Sequence, residues 1–217
     1  VHPAFKRGDG QAFLNVTFEV WFKPARLTEF DPHGNATIFE TGAANQGLGI
    51  ILQGDEDAPQ LVLAAVGKFG KNPATVFAPF PKHGVKTFTQ AVAVIDHEKR
   101  AVRFYVNGRK VGDVDRRGRG MPYWESRDGA GLARGNGQTG AGSLVGGGGN
   151  FPGQIALFRH YPDRALTDEE VRRNYNAVVA ANRRLEGSAG VRATEQAAIA
   201  APSEGSRVDT PGNAPSF

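Results

Sequence analysis

Between Gln90 and Val114 the chain carries a pattern that admits few readings. Val102, Phe104 and Val106 alternate with Ala101, Arg103 and Tyr105, Asn107-Gly108 follows, and a short strand departs from Arg109. Asn-Gly is the preferred pair for a type I′ turn, whose two central residues both need positive φ and whose twist matches the flanking strands. Upstream, Gln90 to Ile95 reads as another strand, and the polar run Asp96-His97-Glu98-Lys99 turns the chain back. Three consecutive antiparallel strands predict an all-β protein. Such a fold binds through loops or a sheet face, so any chemistry must be argued from individual side chains.

The rest of the chain follows the same grammar. Val16, Phe18, Val20 and Phe22 fall on one face of a strand and Thr17, Glu19, Trp21 and Lys23 on the other, until Pro24 stops it. Strand-like runs at Thr37 to Thr41, Gly49 to Gln53, Gln60 to Val66 and Ala74 to Phe77 are separated by Gly, Asp, Asn and Pro clusters. A long glycine-rich segment, Gly118 to Gly149, precedes a last strand, Gln154 to Tyr161. Many short strands with turn signals between them predict two packed antiparallel sheets or a barrel, not a parallel sheet.

One helix announces its own start. Thr167-Asp-Glu-Glu170 is a capping box, and Leu166 and Val171 are spaced as a hydrophobic staple. Val171, Tyr175, Val178, Val179 and Leu185 form one apolar stripe, with Arg172, Arg173, Arg183 and Arg184 largely off it, and Gly187 is expected to end the helix. The stripe predicts docking on the sandwich. From there to Phe217 the chain is rich in Ala, Ser, Gly and Pro, a composition that cannot bury enough to fold alone. The expected organisation is a sandwich over 1–166, a docked helix over 167–186 and an extended tail over 187–217, ordered against a protein partner or a larger assembly.

The formal charge is +4, yet Lys99 to Arg134 holds ten Lys/Arg against four Asp/Glu, a local +6. A basic stretch attracts anionic glycans, nucleic acid, lipid headgroups or acidic protein surfaces, and most simply is a solvated strand face and loop. No aromatic and basic interleaving on a nucleic-acid-binding scaffold is present, so nucleic acid is set aside. Without cysteine the chain has no disulfides and no thiolate metal site. No stretch reaches the ~20 apolar residues of a membrane helix. The chain starts at Val1, which leads to the expectation of a processed or trimmed start and is compatible with an exported precursor.

Taken in order, Phe18-Glu-Val-Trp-Phe-Lys-Pro24, Ile38-Phe-Glu-Thr-Gly42, Phe104-Tyr-Val-Asn-Gly108, Asn150-Phe-Pro-Gly-Gln-Ile-Ala156 and Tyr161 to Val171 resemble bacterial laminin-G-like domains of the concanavalin A-like lectin/glucanase superfamily. The resemblance spans roughly residues 5 to 180. It implies a two-sheet antiparallel jelly roll. It also implies an extracytoplasmic module, periplasmic or secreted, that binds glycans or proteins without catalysis.

The residues themselves offer little for catalysis. Glucanases of that superfamily resemble one another in a Glu-x-Asp-x-Glu strand, which is missing here. Asp55-Glu56-Asp57 precedes Pro59 in a loop, and Asp113-Val-Asp115 is followed by Arg116 and Arg117, which reads as solvated surface. His2, His33, His83, His97 and His160 show no metal-ligand spacing. Gly135 to Gly140 matches GxGxxG but neither leaves a strand nor opens a helix. No catalytic residue, metal ligand or cofactor is therefore assigned. Structural calcium, which laminin-G-like relatives often hold, would draw on loop oxygens such as those of Asp9, Asp31, Asp55, Asp57, Asp128 and Asn136, and no spacing singles out a set.

The binding candidates are Tyr123, Trp124 and Arg127 in a glycine-flanked loop, with Arg116, Arg117 and Arg119 beside them. Aromatic faces stack on sugar rings and also anchor protein interfaces. The expected function is a non-catalytic recognition or structural subunit contacting a protein partner through loops and tail. The alternative is a carbohydrate-binding module, and a glycoside hydrolase or lyase comes last.

Overall fold

The computed structural model describes residues 15–27, 35–43, 46–54, 58–66, 74–80, 82–117, 121, 130–133 and 149–200, with side chains as far as Arg184 in the last element. Two compact units divide at Asn176 and Ala177. The first contains strands β1 (Val16–Pro24), β2 (Asn35–Ala43), β3 (Gln46–Gln53), β4 (Gln60–Val66), β5 (Ala74–Pro79), β6 (Thr89–Asp96), β7 (Ala101–Val106), β8 (Arg109–Asp115), β9 (Gly131–Leu132), β10 (Gly149–Asn150) and β11 (Gly153–Pro162). One sheet runs β11-β1-β6-β7-β8 and the other β10-β2-β3-β4-β5, with β9 also on β2. Pairing is antiparallel except for the short β10–β2 contact. The predicted sandwich is observed. Its one omission is the pair of two-residue strands β9 and β10, which sit inside or at the end of the glycine-rich segment and carry no alternation to read.

Period-two alternation places the core. Val16, Phe18, Val20 and Phe22 meet Ala91, Ala93, Ile95, Val102 and Phe104 from the same sheet and Ile38, Ile50, Leu52, Leu61 and Leu63 from the facing one, all buried. Val106 is half-buried against this core. The Asn107 and Gly108 φ angles of 50° and 74° place both turn residues in the left-handed region that a type I′ turn requires.

The opposite face of the five-stranded sheet is buried as well, which alternation alone does not announce. Thr17, Glu19, Trp21, Gln90, Val92, Val94 and Tyr105 are all shielded from water. They are covered by the segment after β11 and by the first turns of α1 (Asp168–Ala200). The predicted capping box is present: the Thr167 backbone N–H donates to Glu170 Oε2 at 2.9 Å and the Glu170 N–H donates to Thr167 Oγ1 at 3.2 Å. Leu166 and Val171 are buried in one cluster with Val92, Val94 and Tyr105, as a hydrophobic staple would be. Thr17 fixes the approach, its hydroxyl donating to the Arg164 carbonyl and accepting from the Leu166 N–H, each at 3.0 Å.

Gly187 does not end the helix, which continues to Ala200. A glycine costs about 1 kcal/mol relative to alanine in a helix interior, and the Ala-, Arg-, Glu- and Gln-containing stretch that follows outweighs it. Pro202, which disfavours helical geometry at the residue before it, is the stronger stop signal. The tail from 201 onward, and the expectation that it needs a partner, lie outside the described residues. No described helix is long and apolar enough to cross a membrane.

Candidate binding groove

The covered face of the five-stranded sheet is organised around one carboxylate. Glu19 Oε1 accepts from Trp21 Nε1 at 2.9 Å and Gln90 Nε2 at 2.8 Å, and Oε2 from the Tyr161 hydroxyl at 3.0 Å and Asn174 Nδ2 at 3.3 Å. Arg159 Nη1 approaches both oxygens at 3.4 Å. Gln90 carries the network to the β7–β8 turn: its Oε1 accepts from the Gly108 N–H at 3.0 Å, and its own N–H donates to Asn107 Oδ1 at 2.9 Å. A buried carboxylate with this many donors is a clamp that joins sheet, turn and helix. It leaves no open edge at which a substrate could meet it.

Toward the β7–β8 edge no described residue covers the same sheet face, and there it forms a groove of about 280 Å³ lined by Lys99, Ala101, Arg103, Lys110, Asp113, Asp115 and Arg117. The hairpin register builds it. Ala101 faces Asp115, Arg103 faces Asp113, and Tyr105 faces Lys110 after a bulge between Phe104 and Tyr105. Two bases and two acids from two strands, Arg103, Lys110, Asp113 and Asp115, therefore share one surface with the Lys99 turn at one end and Lys110 at the other.

Each charge is held differently. Arg103 is buried, with Nη2 on Asp96 Oδ2 at 2.8 Å and Nη1 3.6 Å from Asp168 Oδ1, so its guanidinium is fixed in the floor. Lys110 Nζ lies between Asp113 Oδ2 at 3.0 Å and Asp168 Oδ2 at 3.2 Å, and these two hydrogen bonds push its pKa up. The Tyr105 hydroxyl donates to Asp168 Oδ1 at 2.7 Å. That hydrogen bond, ahead of the contribution of Lys110, holds the Asp168 carboxyl below its ordinary value. Arg117 forks onto Asp115, with Nε and Nη2 at 2.8 and 2.6 Å from Oδ2. The Asp96 Oδ1 accepts the Lys99 backbone N–H at 2.9 Å and shapes the turn from which the Lys99 side chain leaves.

Of the sequence-predicted binding residues, Arg117 lines the groove and is 79% exposed. Arg116 does not: it is 1% exposed, with its backbone N–H bonded to the Arg100 carbonyl at 2.7 Å. The expectation that Arg116 is a binding residue is thus corrected, because its side chain is buried. Val114 packs on the core, Asp115 points out, and one more step of the same alternation turns residue 116 inward. Tyr123, Trp124, Arg127 and Arg119 lie outside the described residues, as do Asp55 to Asp57, Gly135 to Gly140 and the named calcium candidates. Lys99, Arg103 and Lys110 belong to the basic stretch, but their spacing in the sequence does not mark them as a set. Counting back from the Asn-Gly turn gives the register that unites them, apart from the bulge. Asp113 and Asp115 do share a strand face, exposed and paired with Lys110 and Arg117. Among the described residues no three His, Asp or Glu side chains converge as metal ligands.

A laminin-G family model, described as the concanavalin A-like lectin/glucanases superfamily, matches residues 6–172. The chain belongs to this laminin-G-like family. Compared with curated protein sequences, it matches none. Among solved structures, the laminin-G-like chain is similar to the Ruminococcus gnavus IT-sialidase CBM40 bound to α2,3-sialyllactose, at TM-score 0.57 and 12% identity over 76% of this chain and 84% of that one. The heptameric SAP-like pentraxin from Limulus polyphemus aligns at TM-score 0.52 and 16% identity, covering 75% and 70%. The binding domain of Botulinum neurotoxin DC in complex with rat synaptotagmin II aligns at TM-score 0.52 and 11% identity, covering 76% of this chain but 36% of that one. At such identities these likenesses establish the lectin-type sandwich that the laminin-G-like chain shares with them.

Proposed function

We propose that this chain is a non-catalytic, extracytoplasmic glycan-recognition domain whose ligand is an acidic saccharide bound in the β7–β8 groove. The observation that carries the reading is the groove itself, in which Lys99, Arg103, Lys110 and Arg117 supply donors and positive charge while Asp113 and Asp115 supply acceptors. Saccharides present vicinal hydroxyls that donate and accept at once, and a surface offering both kinds of partner in fixed positions suits them. The basic excess over the lining acids favours a ligand with negative charge. Support from outside the chain comes from the CBM40 neighbour, whose structure holds a sialylated lactose.

The absence of catalysis is part of the proposal. Asp113 and Asp115 each sit beside a cation on an open surface, and Glu19 is fully buried under five donors. None of these offers the pair of carboxyl groups flanking a bound sugar that glycosidic cleavage needs. Release of reducing ends from a polysaccharide, lost in Asp113→Asn, would overturn this part.

A binding test uses immobilised neutral and acidic glycans. Acidic glycans are expected to be retained, less so as salt rises, and Lys99→Gln with Arg117→Gln is expected to weaken retention roughly five- to tenfold. Equal retention of neutral and acidic glycans, or indifference to both substitutions, would remove the groove as the site. A protein partner is the second reading. The neurotoxin binding domain that shares the sandwich is found in complex with a protein, synaptotagmin.

A further inference from the structure

The groove's charges are unevenly spent. Arg103 is matched by Asp96 at 2.8 Å, Arg117 by Asp115 at 2.6 Å, and Lys110 by both Asp113 at 3.0 Å and Asp168 at 3.2 Å. Lys99 is exposed and has no carboxylate partner among the described residues. One cation at one end of the groove therefore remains for a ligand.

Asp168 differs from the other acids because it comes from outside the sheet. It is the first residue of α1, held by the Tyr105 hydroxyl at 2.7 Å, and its two oxygens reach the Arg103 and Lys110 end of the cation row. Its position mimics that of a ligand carboxylate. Without it, Lys110 would have a single neighbour acid and Arg103 one near its Nη2 alone, and that end of the groove would offer additional positive charge.

We propose that Asp168 is a specificity-determining residue: by occupying the Lys110 end, it limits the groove to saccharides carrying one anionic group, placed at Lys99, and disfavours polyanions. The inference rests on the glycan reading above. A second sulfate or carboxylate on the ligand would lie near Asp113 and Asp168 with no unmatched cation among the described lining residues to meet it, and like charges at such sites repel. The hydroxyls of a singly charged ligand would instead meet Asp113 and Asp115 as acceptors.

The experiment compares the full chain with Asp168→Asn, Tyr105→Phe and Lys99→Gln by calorimetric titration against two probes. One is a disaccharide ending in glucuronic acid, which carries one carboxylate, and the other is sucrose octasulfate. The wild-type chain is expected to bind the disaccharide, and Lys99→Gln to weaken that binding. Asp168→Asn is expected to raise octasulfate affinity roughly two- to fivefold more than disaccharide affinity, the range that a partly exposed ion pair supplies. Tyr105→Phe keeps the Asp168 charge but removes its anchor, so it should move the ratio the same way by less. It carries the test if Asp168→Asn does not fold. Disaccharide binding with an unchanged probe ratio in both variants would overturn the specificity role and leave the glycan site standing. Failure of the wild-type chain to bind either probe would overturn both.

Discussion

The indole of Trp21 and the phenol of Tyr175 lie nearly parallel, with ring centroids 5.6 Å apart and planes 7° from each other. One ring belongs to the second strand of the sheet and the other to the second turn of the helix, and Gly108 of the hairpin turn approaches the same Tyr175 side chain. Offset aromatic pairs contribute about 0.5–1.5 kcal/mol beyond the area they bury. Tyr175→Ala is therefore expected to lower unfolding free energy by about 1–3 kcal/mol, part stacking and part lost burial. Urea denaturation measures the loss, and a red shift in tryptophan emission reports the uncovered Trp21.

Gly108 is constrained twice. Its φ is 74°, and a Cβ there would come within 3.0 Å of the Tyr175 Cβ. Gly108→Ala is expected to destabilise by about 1–2 kcal/mol through backbone strain and crowding. In a Tyr175→Ala background the contacts with the ring carbons Cγ and Cδ1, both at 3.1 Å, are lost while the Cβ contact and the strain remain, so part of the cost should disappear, a non-additivity that a double-mutant cycle reads directly.

Glu19→Gln keeps the shape of the side chain but puts an amide N–H₂ where an acceptor stood. Trp21, Gln90, Tyr161 and Asn174 all donate to this carboxylate, so at least one donor would then face another. Stranding buried donors costs about 1–3 kcal/mol each. A loss of roughly 2–4 kcal/mol is expected in chemical denaturation. A change within about 0.5 kcal/mol, the level of an ordinary surface substitution, would mean the network is dispensable.

Gly112 lies on β8, where a Cβ would come 2.3 Å from Cγ1 of Val76 on β5. The edges of the two sheets meet there with no room for a methyl group. Gly112→Ala is expected to cost about 1–3 kcal/mol as overpacking, and Val76→Ala should recover part of it in the double variant.

Stability should fall with acid in two separable windows. Burial lowers the His160 pKa below its ordinary 6.5, so this contribution is complete above about pH 6.5 and declines as pH falls through the folded value. The Asp168 and Glu170 carboxyls lie below ordinary values of 3.8 and 4.5, the first through the Tyr105 hydrogen bond and the second through the Thr167 backbone N–H and then Arg164. A depressed carboxylate stabilises fully above its unfolded pKa, and that stability disappears as pH falls through the folded one. Denaturation curves at stepped pH should therefore decline below about pH 6.5 and again below about pH 4.5. His160→Asn should remove the first decline, and Asp168→Asn with Glu170→Gln the second.

The sandwich was legible because its signals are local and redundant. Phe18 and Phe22 alternate with polar partners, Asn107-Gly108 dictates one turn geometry, and Thr167 with Glu170 marks a helix start. The groove was legible only in fragments. Its cations stood out as a charge excess, but Lys99, Arg103 and Lys110 come together through strand pairing, and the bulge after Phe104 breaks a simple count. Glu19 looked like half of an alternating pair and turned out to be the buried centre of a network, because the helix that covers it lies about 150 residues away in sequence. Arg116 misled for the opposite reason: its charge suggested water, while the parity of β8 points it inward.

The clamp around Glu19 also settles where this polypeptide can be cut. Asn174 and Tyr175 belong to the same compact body as the strands, which closes at Asn176. An expression fragment that stops between the last strand and Asp168 would strip an acid of one of its donors, bare a tryptophan and take Val171 away from Val92 and Val94. Such a truncated product should aggregate, whereas one retaining the helix through its third turn keeps its lid.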